Sequence, residues 1–149
     1  MASRKQRIIG RREKADFPEI GLGTLNAKID SGAFTAAIHC CKIEINSEKL
    51  LDVVFLDPSH KKYTGEVFTF QKYRERSIRS SNGVSERRYT IETTVRFGEE
   101  LLPIELSLTF RGDMRFAVLI GRRFLSENRF LIDARKKNYF KHNKIAEIV

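Results

Sequence analysis

Asp30-Ser31-Gly32-Ala33 is the segment in this chain best suited to presenting a reactive carboxylate. An acid, a hydroxyl and a glycine in one tight turn can do this because glycine lets backbone N–H groups approach the carboxylate oxygens. The hydroxyl can anchor the turn to its neighbour. An ordinary Asx turn has the same composition, so the tetrapeptide alone decides nothing. A second segment, Phe116 to Leu125, runs from the apolar Ala117-Val118-Leu119-Ile120 into Gly121-Arg122-Arg123 and then an apolar helix start. By itself it reads as a buried strand ending in glycine.

Other chemistries find less in the chain. A catalytic zinc needs about three protein ligands, commonly with a His-Glu-x-x-His helix. His39, His60 and His142 are the only histidines, and no two fall at helical ligand spacing. In His39-Cys40-Cys41 a strand would send Cys40 to the face opposite the other two. No metal site is assigned, and with no Gly-x-x-x-x-Gly-Lys-(Ser/Thr) loop no nucleotide or other cofactor is expected. There is no Gly-x-Ser-x-Gly elbow, although a Ser-His-Asp triad stays open.

The elements that must position these residues read as strands. Leu25-Asn26-Ala27-Lys28-Ile29 alternates apolar and polar directly before Asp30. Similar runs occur at Arg7–Gly10, Ala36–Ile45, Leu51–Leu56, Glu66–Phe70, Arg88–Phe97, Leu102–Phe110 and Phe130–Asp133. Ser80-Ser81-Asn82-Gly83 has the Asn-Gly signature of a hairpin tip, and Arg122 to Asn128 fits one short helix. Residues 57–79 show the least regular pattern. Many short strands with turn signals between them predict an all-β sandwich or barrel.

At 149 residues, 41% hydrophobic and 32% charged, the chain predicts one globular domain over 1–149. The net charge is +9. Residues 1–14 hold six Lys/Arg against Glu13, and residues 134–149 hold five against Glu147, so the two ends carry the whole excess. Segments 1–7 and 134–149 are therefore read as basic arms, either contacts for a polyanion or solvated ends. Adjacent Cys40 and Cys41 rarely suit a disulfide. They predict one buried and one exposed thiol in a reducing, cytoplasmic setting. No run approaches the roughly 20 apolar residues of a membrane span, and no membrane partner is expected.

Taken in order, Asp-Ser-Gly-Ala, a hairpin with Asn-Gly at its tip, and Ile120-Gly121-Arg122 before a short helix resemble the retropepsin-like aspartic peptidases. The resemblance implies a retropepsin-like acid protease barrel with a flap hairpin and one short C-terminal helix. It makes Asp30 catalytic, Ser31, Gly32 and Ala33 its loop, and Ile120, Gly121 and Arg122 the segment packed beneath. Ser80, Ser81, Asn82 and Gly83 would be the flap tip. Ile9-Gly10-Arg11-Arg12-Glu13, Pro18-Glu19-Ile20-Gly21, Glu86-Arg87-Arg88-Tyr89 and Asp113-Met114-Arg115-Phe116 narrow it further. They resemble small bacterial proteins catalogued as ATP-dependent zinc proteases. These accompany ATP-grasp ligases that add glutamates to a small-subunit ribosomal protein. The commoner loop there has Thr where Ser31 stands, and often Arg where Phe34 stands.

Aspartic peptidase chemistry needs two carboxylates sharing one proton, and this chain supplies one. The second must come from a second copy, across a two-fold axis between the Asp30 side chains. The resemblance then implies an amide-bond hydrolase of acidic peptides or glutamate-tailed proteins. Arg11, Arg12 and Arg122 or Arg123 would be candidate carboxylate clamps, or else members of structural salt bridges. Two alternatives come from other classes. One is a non-catalytic ribosome- or RNA-binding β-barrel using the basic termini; the other is a zinc hydrolase.

Overall fold

The computed structural model describes residues 6–79, 82–110 and 115–140. Among the described residues these elements follow one another: β1 (Arg7–Asp16), β2 (Thr24–Asp30), β3 (Ala36–Ile45), β4 (Leu51–Phe55), β5 (Phe68–Phe70), β6 (Arg74–Arg79), β7 (Ser85–Phe97), β8 (Glu100–Thr109), β9 (Val118–Gly121), α1 (Arg122–Glu127) and β10 (Phe130–Lys137). The expected all-β barrel with one short C-terminal helix is what forms.

Six strands close the barrel in the order β1-β2-β9-β3-β8-β7 and back to β1. Closure rests on the pairing of Asp16 with Arg96, whose side chains meet at 3.5 Å. The period-2 pattern explains the inside: in β2, Leu25, Ala27 and Ile29 are buried while Thr24, Asn26 and Lys28 face out. Ile9, Ile38, Val95, Leu106, Val118 and Ile120 complete the interior from the other strands. Outside the ring, β10 lies parallel to β1, β6 pairs with β7 as a hairpin, and β4 pairs with β3 and β5. Phe55 meets Phe68 and Phe70 edge-on at 5.4 and 6.2 Å, which seats β5. The irregular stretch 57–79 thus contributes β5 and β6.

Two strands run further than their apolar patterns. β1 continues through the charged Arg11-Arg12-Glu13-Lys14 because Glu13, only 1% exposed, has its carboxylate satisfied by backbone. Glu13 Oε2 accepts from Gly10 N (2.7 Å) and Tyr139 N (3.0 Å), and Oε1 from Phe140 N (3.3 Å). β10 extends to Lys137, so residues 134–137 of the segment read as a basic arm are sheet. Cys40 is buried and Cys41 exposed, as the alternation predicts, and burial pushes the Cys40 thiol well up. Among the described residues no helix is long and apolar enough to cross a membrane.

Candidate active site

β2 and β3 are neighbours in sequence, yet β9 lies between them in the sheet. The chain leaving Asp30 must therefore cross the end of β9 to reach β3. It crosses at Gly121, which pairs with Asp30 just as Ile120 pairs with Ile29. A Cβ on Gly121 would stand 2.5 Å from the Thr35 carbonyl oxygen and 2.7 Å from that of Phe34. The backbone there is extended (φ −86°, ψ 173°), open to any residue, so glycine is required by space and not by conformation.

The same crossing is fixed by hydrogen bonds. Arg122 N donates to the Ala33 carbonyl (2.8 Å) and Arg123 N to that of Phe34 (3.1 Å). These N–H groups belong to the first turn of α1 and have no partner within the helix. α1 is anchored in turn by Phe124, which lies 5.9 Å from Phe130 and 6.1 Å from Phe97. Gly121 and Arg122 thus touch the segment that follows Asp30, and Ile120 pairs with Ile29 directly before it.

Within the loop, Ala33 N donates to the Asp30 carbonyl (3.2 Å) and Gly32 N to Asp30 Oδ1 (3.0 Å). Asp30 Oδ2 takes no hydrogen bond among the described residues. The Asp30 side is half-buried, and Ser31 and Gly32 are exposed. One carboxylate oxygen is oriented by backbone, and the turn that carries it is exposed.

The candidate arginines differ in how committed they are. Arg123 bridges Glu105 (3.2 Å) and Glu127 (3.1 Å). Arg11 donates to the Ala134 carbonyl at 3.3 Å. Arg122 lies with its guanidinium carbon 5.2 Å from the centre of the Phe34 ring, and Phe34 is 54% exposed. Arg12 is half-buried and meets no carboxylate among the described residues. Of the expected flap tip, Asn82 and Gly83 join β6 to β7, with Gly83 at φ +85° and Asn82 Oδ1 accepting from Val84 N. Ser80 and Ser81 lie outside the described residues.

Sequence reasoning missed the group that ties this hairpin to α1. Glu105, on β8, accepts from Arg76 on β6, from Thr90 on β7 (2.8 Å) and from Arg123 on α1 (3.2 Å). Burial alone would raise its carboxyl, but the bonds from Arg76 and Thr90 and the charges of Arg76 and Arg123 hold it below the ordinary value. Glu105 borders a cavity of about 280 Å³ that also touches Thr35, Ala36, Thr90, Arg123 and Phe124. Its partners lie 15 to 29 residues away in sequence, so no local pattern announces them.

Among the described residues, no three His, Cys, Asp or Glu side chains gather as a metal site. His39 Nε2 lies 2.7 Å from Asp57 Oδ2, but the Ser59 hydroxyl donates to Asp57 and not to His39. These three therefore do not line up as nucleophile, base and orienter.

A closed six-stranded barrel, with an Asp-Ser-Gly-Ala loop threaded across a glycine that opens a short helix, defines the retropepsin-like class. The chain belongs to the RimB-like family, described as "Retropepsin-like aspartic endopeptidase RimB", which matches residues 8–143. It is 33% identical over 138 residues to a probable α-L-glutamate ligase of Shewanella pealeana, covering 85% of this chain and 28% of that protein. A similarly named protein of Parasynechococcus marenigrum is 32% identical with the same coverage. The chain thus spans little more than a quarter of the curated relatives it matches. A Legionella pneumophila protein of unknown function shares the fold. Its crystal structure has a TM-score of 0.69 at 23% identity, over 91% of this chain and 99% of that one.

Proposed function

We propose that this chain hydrolyses amide bonds as a two-fold homodimer in which each protomer contributes Asp30, and that its substrates are acidic peptides, glutamate tails among them. The observation that carries the reading is the Asp30 carboxylate itself. Oδ1 is held by the Gly32 N–H, Oδ2 takes no hydrogen bond among the described residues, and the loop is pinned by Gly121 and the first N–H groups of α1. Two such loops facing each other place two carboxylates close enough to share one proton. The ionised Asp30 takes a proton from water as the water oxygen bonds to the amide carbon. The protonated Asp30 of the partner donates its proton to the carbonyl oxygen. Collapse of the tetrahedral species breaks the C–N bond, and the nitrogen leaves with a proton returned by the pair.

Family membership supports the hydrolase class, and the ligase names of the relatives support glutamate-bearing substrates. The β6–β7 hairpin would act as the flap over the bound peptide. Asp30→Asn tests the reading. Turnover of a glutamate-tailed peptide should fall by about 10³-fold or more, since acid and base are lost from both protomers together. Thermal stability should hold or rise as apposed charges are removed. Sedimentation should show dimer under assay conditions. Full turnover by Asp30→Asn, or by a monomer, would remove the assignment.

A further inference from the structure

We infer that Lys137, Arg12 and Lys28 form a cationic row that binds the carboxylates of an acidic peptide beside Asp30 and sets its specificity, which rests on the function proposed above. Register puts them together. Arg12 pairs with Lys28 on β2 and with Lys137 on β10, so three cations stand side by side across three adjacent strands. Residues directly opposite on antiparallel strands share a face with Cβ atoms roughly 5 Å apart, which describes Arg12 and Lys28; Lys137 meets Arg12 just beyond an irregularity in the parallel β1–β10 register.

The row has no internal counter-charge. None of the three meets a carboxylate among the described residues. Apart from Asp30 itself, the acids nearest along these strands are engaged elsewhere: Asp133 by Arg135, Asp16 by Arg96, and Glu13 by backbone N–H groups. Like charges directly opposite each other destabilise a sheet, so the fold carries a cost here that an anionic ligand would relieve. Elsewhere on the barrel the cations Arg123, Arg76 and Lys42 are each paired with a glutamate.

The row also leads to the site. Lys28 precedes Asp30 by two residues on the same strand, which places the two on one side about 7 Å apart along it. A ligand lying on the row therefore arrives at the carboxylate. An acidic peptide brings both the carboxylates that the row attracts and an amide for Asp30 to act on; a nucleic acid brings no amide.

The test is steady-state kinetics of the full chain on a glutamate-tailed peptide and on its glutamine-tailed counterpart. Lys28→Gln and Arg12→Gln should each raise KM for the glutamate peptide about fivefold, and the double variant more, with kcat little changed. KM for the glutamine peptide should not move, and Lys28→Arg should restore the parental value. Lys42→Gln, which loses only the contact with Glu44, is the control. Parental KM for the glutamate peptide should rise with salt, and that dependence should flatten in the double variant. An unchanged ratio of the two KM values, or an equal loss on both peptides, would overturn the inference. So would tighter binding of an RNA oligonucleotide than of the glutamate peptide, lost in the double variant. If the parent cleaves neither peptide yet binds the labelled glutamate peptide through these residues, the hydrolase reading fails and the row stands.

Discussion

Adding one methyl group at residue 121 should unseat the loop that carries Asp30. The new Cβ would lie 2.5 Å from the Thr35 oxygen, 2.7 Å from the Phe34 oxygen and 2.7 Å from the Thr35 carbonyl carbon. Carbon–oxygen contacts settle at about 3.3 Å or more, so the loop must retreat by roughly 0.8 Å. All three obstacles are backbone, and no side-chain rotation can relieve them. The retreat strains the bonds from Arg122 N and Arg123 N that hold the loop. Overpacking costs about 1–3 kcal/mol and each weakened hydrogen bond about 1 kcal/mol, so Gly121→Ala should lose about 2–4 kcal/mol. For a domain of this size that lowers Tm by roughly 5–15 °C. A displacement near 1 Å at the reacting group costs about 100-fold in turnover even where the protein stays folded. Thermal and urea unfolding, with turnover of an acidic peptide on the same preparation, would measure both. Gly21→Ala is the informative contrast: its φ of +72° strains any side chain, but nothing lies within 4 Å of the added Cβ. It should lose about 1–2 kcal/mol and keep its turnover. A Gly121→Ala protein as stable and active as the parent would refute the argument that close approach at Gly121 positions Asp30.

Other perturbations reach other parts of the frame. Glu13→Ala strands the N–H groups of Gly10, Tyr139 and Phe140. It should cost about 2–4 kcal/mol and speed hydrogen exchange at 139 and 140, whereas protection at the parental level would show that the carboxylate is dispensable. Glu105 has a folded-state pKa below its ordinary 4.5, so its contribution is present at neutral pH and is lost as pH falls through the folded value. The Tm gap between the parent and Glu105→Gln should therefore be widest at neutral pH and close in acid; a gap that widens in acid would contradict the ion-pair assignment. A thiol reagent should label Cys41 in the native chain and reach Cys40 only on unfolding, because Cys40 is fully buried with its thiol pushed up. Equal labelling of both in the folded state would contradict that packing.

Local alternation made most of the barrel readable. Leu25, Ala27 and Ile29 announce β2 and its inner face, and the Asn82-Gly83 pair announces the β6–β7 hairpin. The Asp30 loop and the Gly121 segment were each visible as short motifs, but neither says that β9 lies between β2 and β3. That placement makes glycine necessary at 121, and it comes from strand order. The charged half of β1 was illegible for a different reason. Arg11-Arg12-Glu13-Lys14 looks solvated along the chain, and backbone donors converging on Glu13 from Gly10, Tyr139 and Phe140 help make its burial tolerable.

The features most relevant to specificity depend on register, and register depends on partners far away in sequence. Read along β2, Lys28 is the outward residue of an alternating strand, as ordinary as Asn26. Read across the sheet, it stands opposite Arg12, which stands beside Lys137, so three cations that meet no carboxylate among the described residues form a row that ends, at Lys28, two residues from Asp30. Glu105 follows the same logic on β8. It is one polar position in β8, yet it gathers donors from β6, β7 and α1 and joins the hairpin to the helix that holds the Asp30 loop. Sequence thus reveals which residues point outward, and pairing decides which of those meet. At this barrel, pairing separates cations already neutralised by a glutamate, such as Arg123, from cations left to meet an incoming anion.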